Sequence, residues 1–177
     1  MSLVVFLRGV NVGGHKRFRP AALAKELVHL DAVNIGAAGT FVIRRRVSRA
    51  KLRDEVGRRL PFETEIMICD GRAIVELLSR DYFDGYPDQQ DLVRFVSVVG
   101  GRPASRPPLP MSFPPSGAWD LRVLAIDAPF LVGIYRRQMK AIDYLGRLER
   151  VLGVPVTTRN WNTMSAIVQT LTMSSRA

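Results

Sequence analysis

The 177-residue chain holds a single cysteine, Cys69, and two histidines, His15 and His29. One thiol excludes an internal disulfide framework, and so small a set of soft ligands leaves no cysteine–histidine cluster of the kind a metal site needs. Long apolar runs are missing as well. Nothing approaches the roughly 20 residues that span a bilayer, and Leu3–Leu7 is too short, and stops too abruptly at Arg8, to be a signal-peptide core. The expectation is a cytoplasmic protein with no membrane partner. Lysine is also scarce, since 22 of the 26 basic residues are arginine. A GC-rich genome produces that bias as readily as selection for phosphate binding, so the high pI is discounted.

What is present is an ordinary globular composition, 47% hydrophobic, with a formal charge of +10. The charge is uneven. Residues 1–60 hold 13 basic and 4 acidic side chains, residues 61–100 hold 3 and 8, and residues 101–177 hold 10 and 4. A basic face attracts anions over a Debye length of about 10 Å, which makes small anions and nucleic acid the candidate partners.

The periodicities predict an α+β protein of two plait-like (ferredoxin-like) subdomains, residues 1–80 and 81–177, with mixed or antiparallel sheets and helices on one face. In the first, Leu3–Leu7 reads as a strand and Pro20 opens a helix through about Leu30. Strands at Val33–Ile35 and Phe41–Ile43 follow, then a helix capped by Ser48 with Leu52, Val56 and Leu60 as its stripe, a strand Glu65–Cys69 and a helix Arg72–Ser79. In the second, a strand Leu92–Val99 precedes an irregular, proline-rich connector, 100–117. A hairpin turns at Asp127-Ala128-Pro129, a helix from Gln138 carries Ile142, Leu145, Leu148 and Leu152 on one face, and Gly153 caps it. A last helix starts near Asn160.

Two segments carry candidate chemistry. Gly9-Val-Asn-Val-Gly-Gly14 lies between strand and helix with the spacing of a phosphate-binding loop, but His15 and Lys16 stand where that motif needs lysine and a hydroxyl. Nucleotide hydrolysis is therefore not supported; what remains is a glycine-rich turn or a weaker anion cradle. Thr157-Thr-Arg-Asn-Trp-Asn-Thr163 reads as the capping segment of the last helix, and a helix start flanked by Arg159 is itself suited to anions. Phe41 and Val42 alone fit an RNA-recognition signature, so that motif is rejected. Cys69 beside Asp70 is a structural thiol, and no nucleophile–base set is evident.

The segments Leu7–Gly14 and Thr157–Thr163, in this order and spacing, resemble the two hallmark motifs of domain of unknown function family 1697. The resemblance covers nearly the whole chain and implies a bacterial-type α+β protein of plait-like subdomains without an assigned activity. The chain departs from that family's pattern at Ala38-Gly39-Thr40, where the family has Ser-Gly-Asn, and at Ala166, where it has lysine. Those departures bear on whether a ligand of the relatives is kept here.

Three readings follow. The first is a pocket for a small anionic ligand or phosphate group formed by Arg8, Asn11, Gly13, Gly14, Arg159, Asn160, Trp161 and Asn162. The second is nucleic-acid binding through Arg44, Arg45, Arg46, Arg49, Arg53, Arg58 and Arg59. The third is an enzyme whose chemistry comes from a substrate or an external cofactor. The residues name no cofactor, no metal, no reaction and no oligomeric state.

Overall fold

Every residue of Leu3–Leu7 is buried, so this strand, β1, must be covered on both faces and must lie inside a sheet. A computed structural model, which describes residues 2–11 and 17–173, places it there. The chain continues through α1 (Pro20–Glu26), β2 (Ala32–Asn34), β3 (Thr40–Ile43), α2 (Arg49–Arg59), β4 (Ile66–Asp70) and α3 (Gly71–Leu78). The sheet order is β2-β3-β1-β4 and every pairing is antiparallel. Leu3, Val5 and Leu7 share a face with Phe41, Ile43 and Ile68, and pack with Leu23, Leu27, Leu52 and Val56 of the helical layer.

Local signals set the helix boundaries. Pro20, whose missing N–H is no loss in the first turn, starts α1. Ser48 caps α2, its Oγ accepting the Lys51 N–H at 3.2 Å. The single helix expected from Pro20 to Leu30 instead stops at Glu26 and tightens into a 3-10 turn, Val28–Leu30. The Leu30 N–H turns back to the Leu27 carbonyl and Asp31 adopts φ 50°, ending the helical path.

The second sheet comprises β5 (Leu92–Val99), β6 (Met111–Phe113), β7 (Leu121–Asp127), β8 (Phe130–Arg136) and β9 (Val156–Asn160), with α4 (Met139–Leu152) before β9. Its order is β6-β7-β8-β5-β9, again antiparallel throughout. Phe95, Val99, Val123 and Leu131 form a core with Leu148 and Leu152 of α4. Gly133 on β8 makes this possible: a Cβ there would lie 2.7 Å from the Phe95 ring and 2.5 Å from the Arg122 carbonyl oxygen.

Two expectations need correction. The connector 100–117 contains strand β6, which pairs with β7 at the sheet edge, where neighbouring prolines interrupt no central ladder. Ile142 is 59% exposed; Ala141 takes its place in the buried stripe with Leu148 and Leu152, a phase difference of one residue. Gly153 does cap α4 in the left-handed conformation, φ 69°.

The chain divides into two compact units, Met1–Ser79 with Asn162–Ala177, and Arg80–Trp161. The last helix, α5 (Trp161–Met173), thus belongs almost entirely with the N-terminal unit and not with residues 81–161 as expected from linear order. The reason is packing: Leu171 lies over Gly71, where a Cβ would come within 2.8 Å of its Cδ2, and the Arg44 guanidinium reaches the Thr170 carbonyl at 3.5 Å.

Candidate functional site

The backbone that leaves β1 turns at once. Gly9 adopts φ 63° and Asn11 φ 56°, a conformation asparagine tolerates better than most residues. Arg8 is fixed through its main chain: its N–H donates to the Glu65 carbonyl at 3.1 Å, and Thr64 Oγ1 donates to its carbonyl at 2.6 Å. The Asn11 carboxamide acts as a clasp. Its Oδ1 accepts the Phe18 N–H at 3.0 Å, and its Nδ2 donates to the carbonyls of Phe18 at 3.2 Å and Ala37 at 2.8 Å. Gly13 and Gly14, with His15 and Lys16, lie outside the described residues.

Beside this clasp runs an open groove of about 640 Å³ lined by Asn11, Arg17–Ala21, Asn34, Gly36 and Ala37. Its lining includes two exposed arginines, Arg17 and Arg19, and no carboxylate. Neither arginine makes an ion pair among the described residues. Phe18 forms part of the apolar lining and meets Phe62 edge to face at 5.7 Å. Asn34 Nδ2 donates to the Gly36 carbonyl, while its Oδ1 is buried without a hydrogen-bond donor among the described residues.

The second candidate segment is strand for most of its length. Thr157, Thr158 and Arg159 belong to edge strand β9, opposite Val98, Ser97 and Val96, because β-branched residues favour the extended backbone. Thr158 Oγ1 and Ser97 Oγ are 2.7 Å apart. The Arg159 side chain is buried and donates to Thr157 Oγ1 at 2.9 Å and to the Thr158 carbonyl at 2.8 Å. Burial pulls its pKa down to about 10. Asn160 is exposed, and Trp161 stacks edge to face on Phe83 at 4.9 Å. Arg8 and Asn11 belong to the first unit and Arg159, Asn160 and Trp161 to the second, while Asn162 returns to the first.

The arginines considered for nucleic acid are largely engaged by the protein. Arg49 pairs with Asp70 at 2.8 Å, Arg58 with Asp54 at 2.7 Å, Arg59 with Glu55 at 3.5 Å and Arg44 with Asp31 at 3.8 Å. Arg49 also donates to the Ile68 carbonyl and Arg53 to the Ile66 carbonyl at 3.3 Å. These carbonyls belong to β4, an edge strand, so two side chains of α2 cover part of an edge that would otherwise invite strand addition. Only Arg45 and Arg46 of the set are exposed without such a partner among the described residues. Glu55 is itself buried, with His29 Nε2 2.8 Å from its Oε2. That hydrogen bond holds its carboxyl below the usual range, against the upward push of burial. Burial, helped by the neighbouring Asp70 and opposed by Arg49, drives the Cys69 thiol up to about 12, consistent with a structural cysteine.

One constellation was not foreseen. On the second sheet Arg122 and Arg136 both stack on Trp119, with their guanidinium carbons 4.8 and 4.7 Å from the ring centroid, and Arg94 lies 4.6 Å over Phe83. Arg122 donates to Ser112 Oγ at 3.0 Å and to the Tyr86 hydroxyl at 2.9 Å. Arg94 donates to the Tyr86 carbonyl at 3.1 Å, and Arg136 to the Trp119 carbonyl at 3.3 Å and to Asp91 at 2.8 Å. The only local hint in the sequence is an arginine interrupting otherwise apolar strands.

No family model matches the chain, and no curated protein matches it. Among solved structures it is similar to the conserved bacterial protein SP0830 from Streptococcus pneumoniae. The identity is 18%, the TM-score is 0.61, and the match covers 96% of this chain and 98% of that one. At that identity the likeness is one of fold. Among the described residues no helix is long and apolar enough to cross a membrane.

Proposed function

We propose that the protein binds a small oxyanion in the groove beside Asn11, with Arg17 and Arg19 as the contacting cations. The observation that carries this reading is the pair of exposed arginines on a groove without a carboxylate in its lining. Cations whose charge is not cancelled nearby concentrate anions at a concave surface, and guanidinium groups bind phosphate or carboxylate through paired N–H donors. Asn11 is a positioning residue here: its clasp fixes where Phe18, and hence its neighbours Arg17 and Arg19, emerge. The buried Arg159 serves β9 and is left out of the contact set.

Other features support the broader placement. The β-α-β-β-α-β order of the first unit and its β2-β3-β1-β4 sheet favour reading that unit as a ferredoxin-like plait. The motifs at Leu7–Gly14 and Thr157–Thr163 favour kinship with domain of unknown function family 1697.

Calorimetric titration with pyrophosphate and with citrate at low ionic strength tests the binding. Saturable heat is expected for at least one of them, weakened about tenfold or more in Arg17→Ala/Arg19→Ala. An affinity untouched by that double substitution at exposed positions would overturn the assignment.

A further inference from the structure

Strand register gathers three arginines of the second sheet, Arg94, Arg122 and Arg136, onto one face. Arg122 of β7 lies opposite Ile134 of β8, Ile134 lies opposite Arg94 of β5, and Arg136 follows Ile134 by two residues. Side chains alternate along a strand, so all three arginines leave from the same side, opposite to the face that carries Phe95, Gly133 and Val123. Ser112 of edge strand β6, across from Arg122, shares their side.

Three guanidinium groups are thus held together against one ion-paired carboxylate, Asp91. The nearby Asp120 carboxylate accepts from Gln138 Nε2 at 2.7 Å. Gathering like charges costs Coulomb energy, and the stacking on Trp119 and Phe83 offsets part of it. The same stacking fixes each guanidinium plane. Hydrogen bonds to Ser112, Asp91, the Tyr86 hydroxyl and the carbonyls of Tyr86 and Trp119 take some of the N–H donors of each arginine and leave others without an acceptor among the described residues. The result is a set of planar, oriented, half-exposed donors with excess positive charge, which is the requirement for bidentate capture of an oxyanion.

We infer that this face of the five-stranded sheet is an oxyanion site in its own right, taking a phosphomonoester or an organic carboxylate against Arg94, Arg122 and Arg136. Tyr86, Phe83 and Trp119 position those side chains; their rings are the supports of the cations and not the contacts of the ligand.

Trp119 reports on the site directly. It and Trp161 are the chain's two tryptophans, so in Trp161→Phe protein the emission comes from Trp119 alone. Glycerol phosphate and citrate are titrated at an ionic strength held constant with chloride, and calorimetry on the unsubstituted chain repeats the measurement. A saturable change in emission is expected. Arg94→Gln, which leaves the Trp119 contacts in place, should weaken it about tenfold, and Arg17→Ala/Arg19→Ala should leave it within about twofold. A response to glycerol phosphate alone assigns the site to phosphate, and one to citrate alone assigns it to carboxylate. No saturable response to either, or an affinity unchanged by both Arg94→Gln and Arg122→Gln, overturns the inference. Binding lost in Arg17→Ala/Arg19→Ala but kept in Arg94→Gln also overturns it, while leaving the groove reading intact.

Discussion

Helix α2 and the five-stranded sheet both concentrate arginine, and the two sets are held differently. On α2, Arg49, Arg58 and Arg59 face carboxylates, and Arg49 and Arg53 reach carbonyls of the β4 edge. On the sheet, Arg94, Arg122 and Arg136 lean on aromatic rings, and only Arg136 has an ion-paired carboxylate among the described residues. Charge on α2 is cancelled within the fold, whereas charge on the sheet is oriented and kept. Counting arginines along the chain therefore misjudges α2, whose arginines are more neutralised than those of the sheet.

The largest test of this contrast is Gly133→Ala. The new methyl group would press on the Arg122 carbonyl and the Phe95 ring, and the backbone oxygen has no rotamer by which to give way. A loss of about 2–3 kcal/mol in urea unfolding is expected, with a change in Trp119 emission as the platform under Arg122 shifts. Next comes Arg49→Ala/Arg53→Ala. It should cost about 1–2 kcal/mol and, by uncovering β4, make the apparent mass in light scattering rise with concentration. A variant whose apparent mass does not change with concentration would show that the edge needs no guard.

A smaller effect, confined to acid, is expected at Glu55. A carboxyl whose pKa is depressed by folding adds stability above its ordinary value, near 4.5, and that stability disappears as pH falls through the folded value. Glu55→Gln should flatten the fall of melting temperature below about pH 4.5, at the cost of some stability near neutrality. The least should come from Arg58→Ala. Its pairing with Asp54 is exposed at both ends, so the change should stay within about 0.5 kcal/mol.

Features written in neighbouring residues were legible in the sequence. Ser48 ahead of α2, Pro20 at the start of α1 and Gly153 after α4 each mark a boundary through local backbone chemistry, and each stands where expected. Features that depend on partners were not. Strand β6 is three residues among prolines and exists because β7 offers it an edge. Ile142 fits a helical stripe as well as Ala141 does, and only the position of the sheet decides between them. Of the candidate contacts, Asn11 and Arg159 were singled out for their polarity, yet the fold uses both to bind itself. Arg94, Arg122 and Arg136 lie on three strands and meet only through register, which no spacing along the chain encodes.

The Asn11 clasp has a consequence for how this chain can vary. One carboxamide joins Asn11 to both main-chain groups of Phe18 and to Ala37, so the ends of the intervening stretch are fastened independently of what lies between them. Variation is thus constrained at position 11 itself, where one side chain must both donate and accept, with Asn11 and Phe18 as the two rivets of the turn.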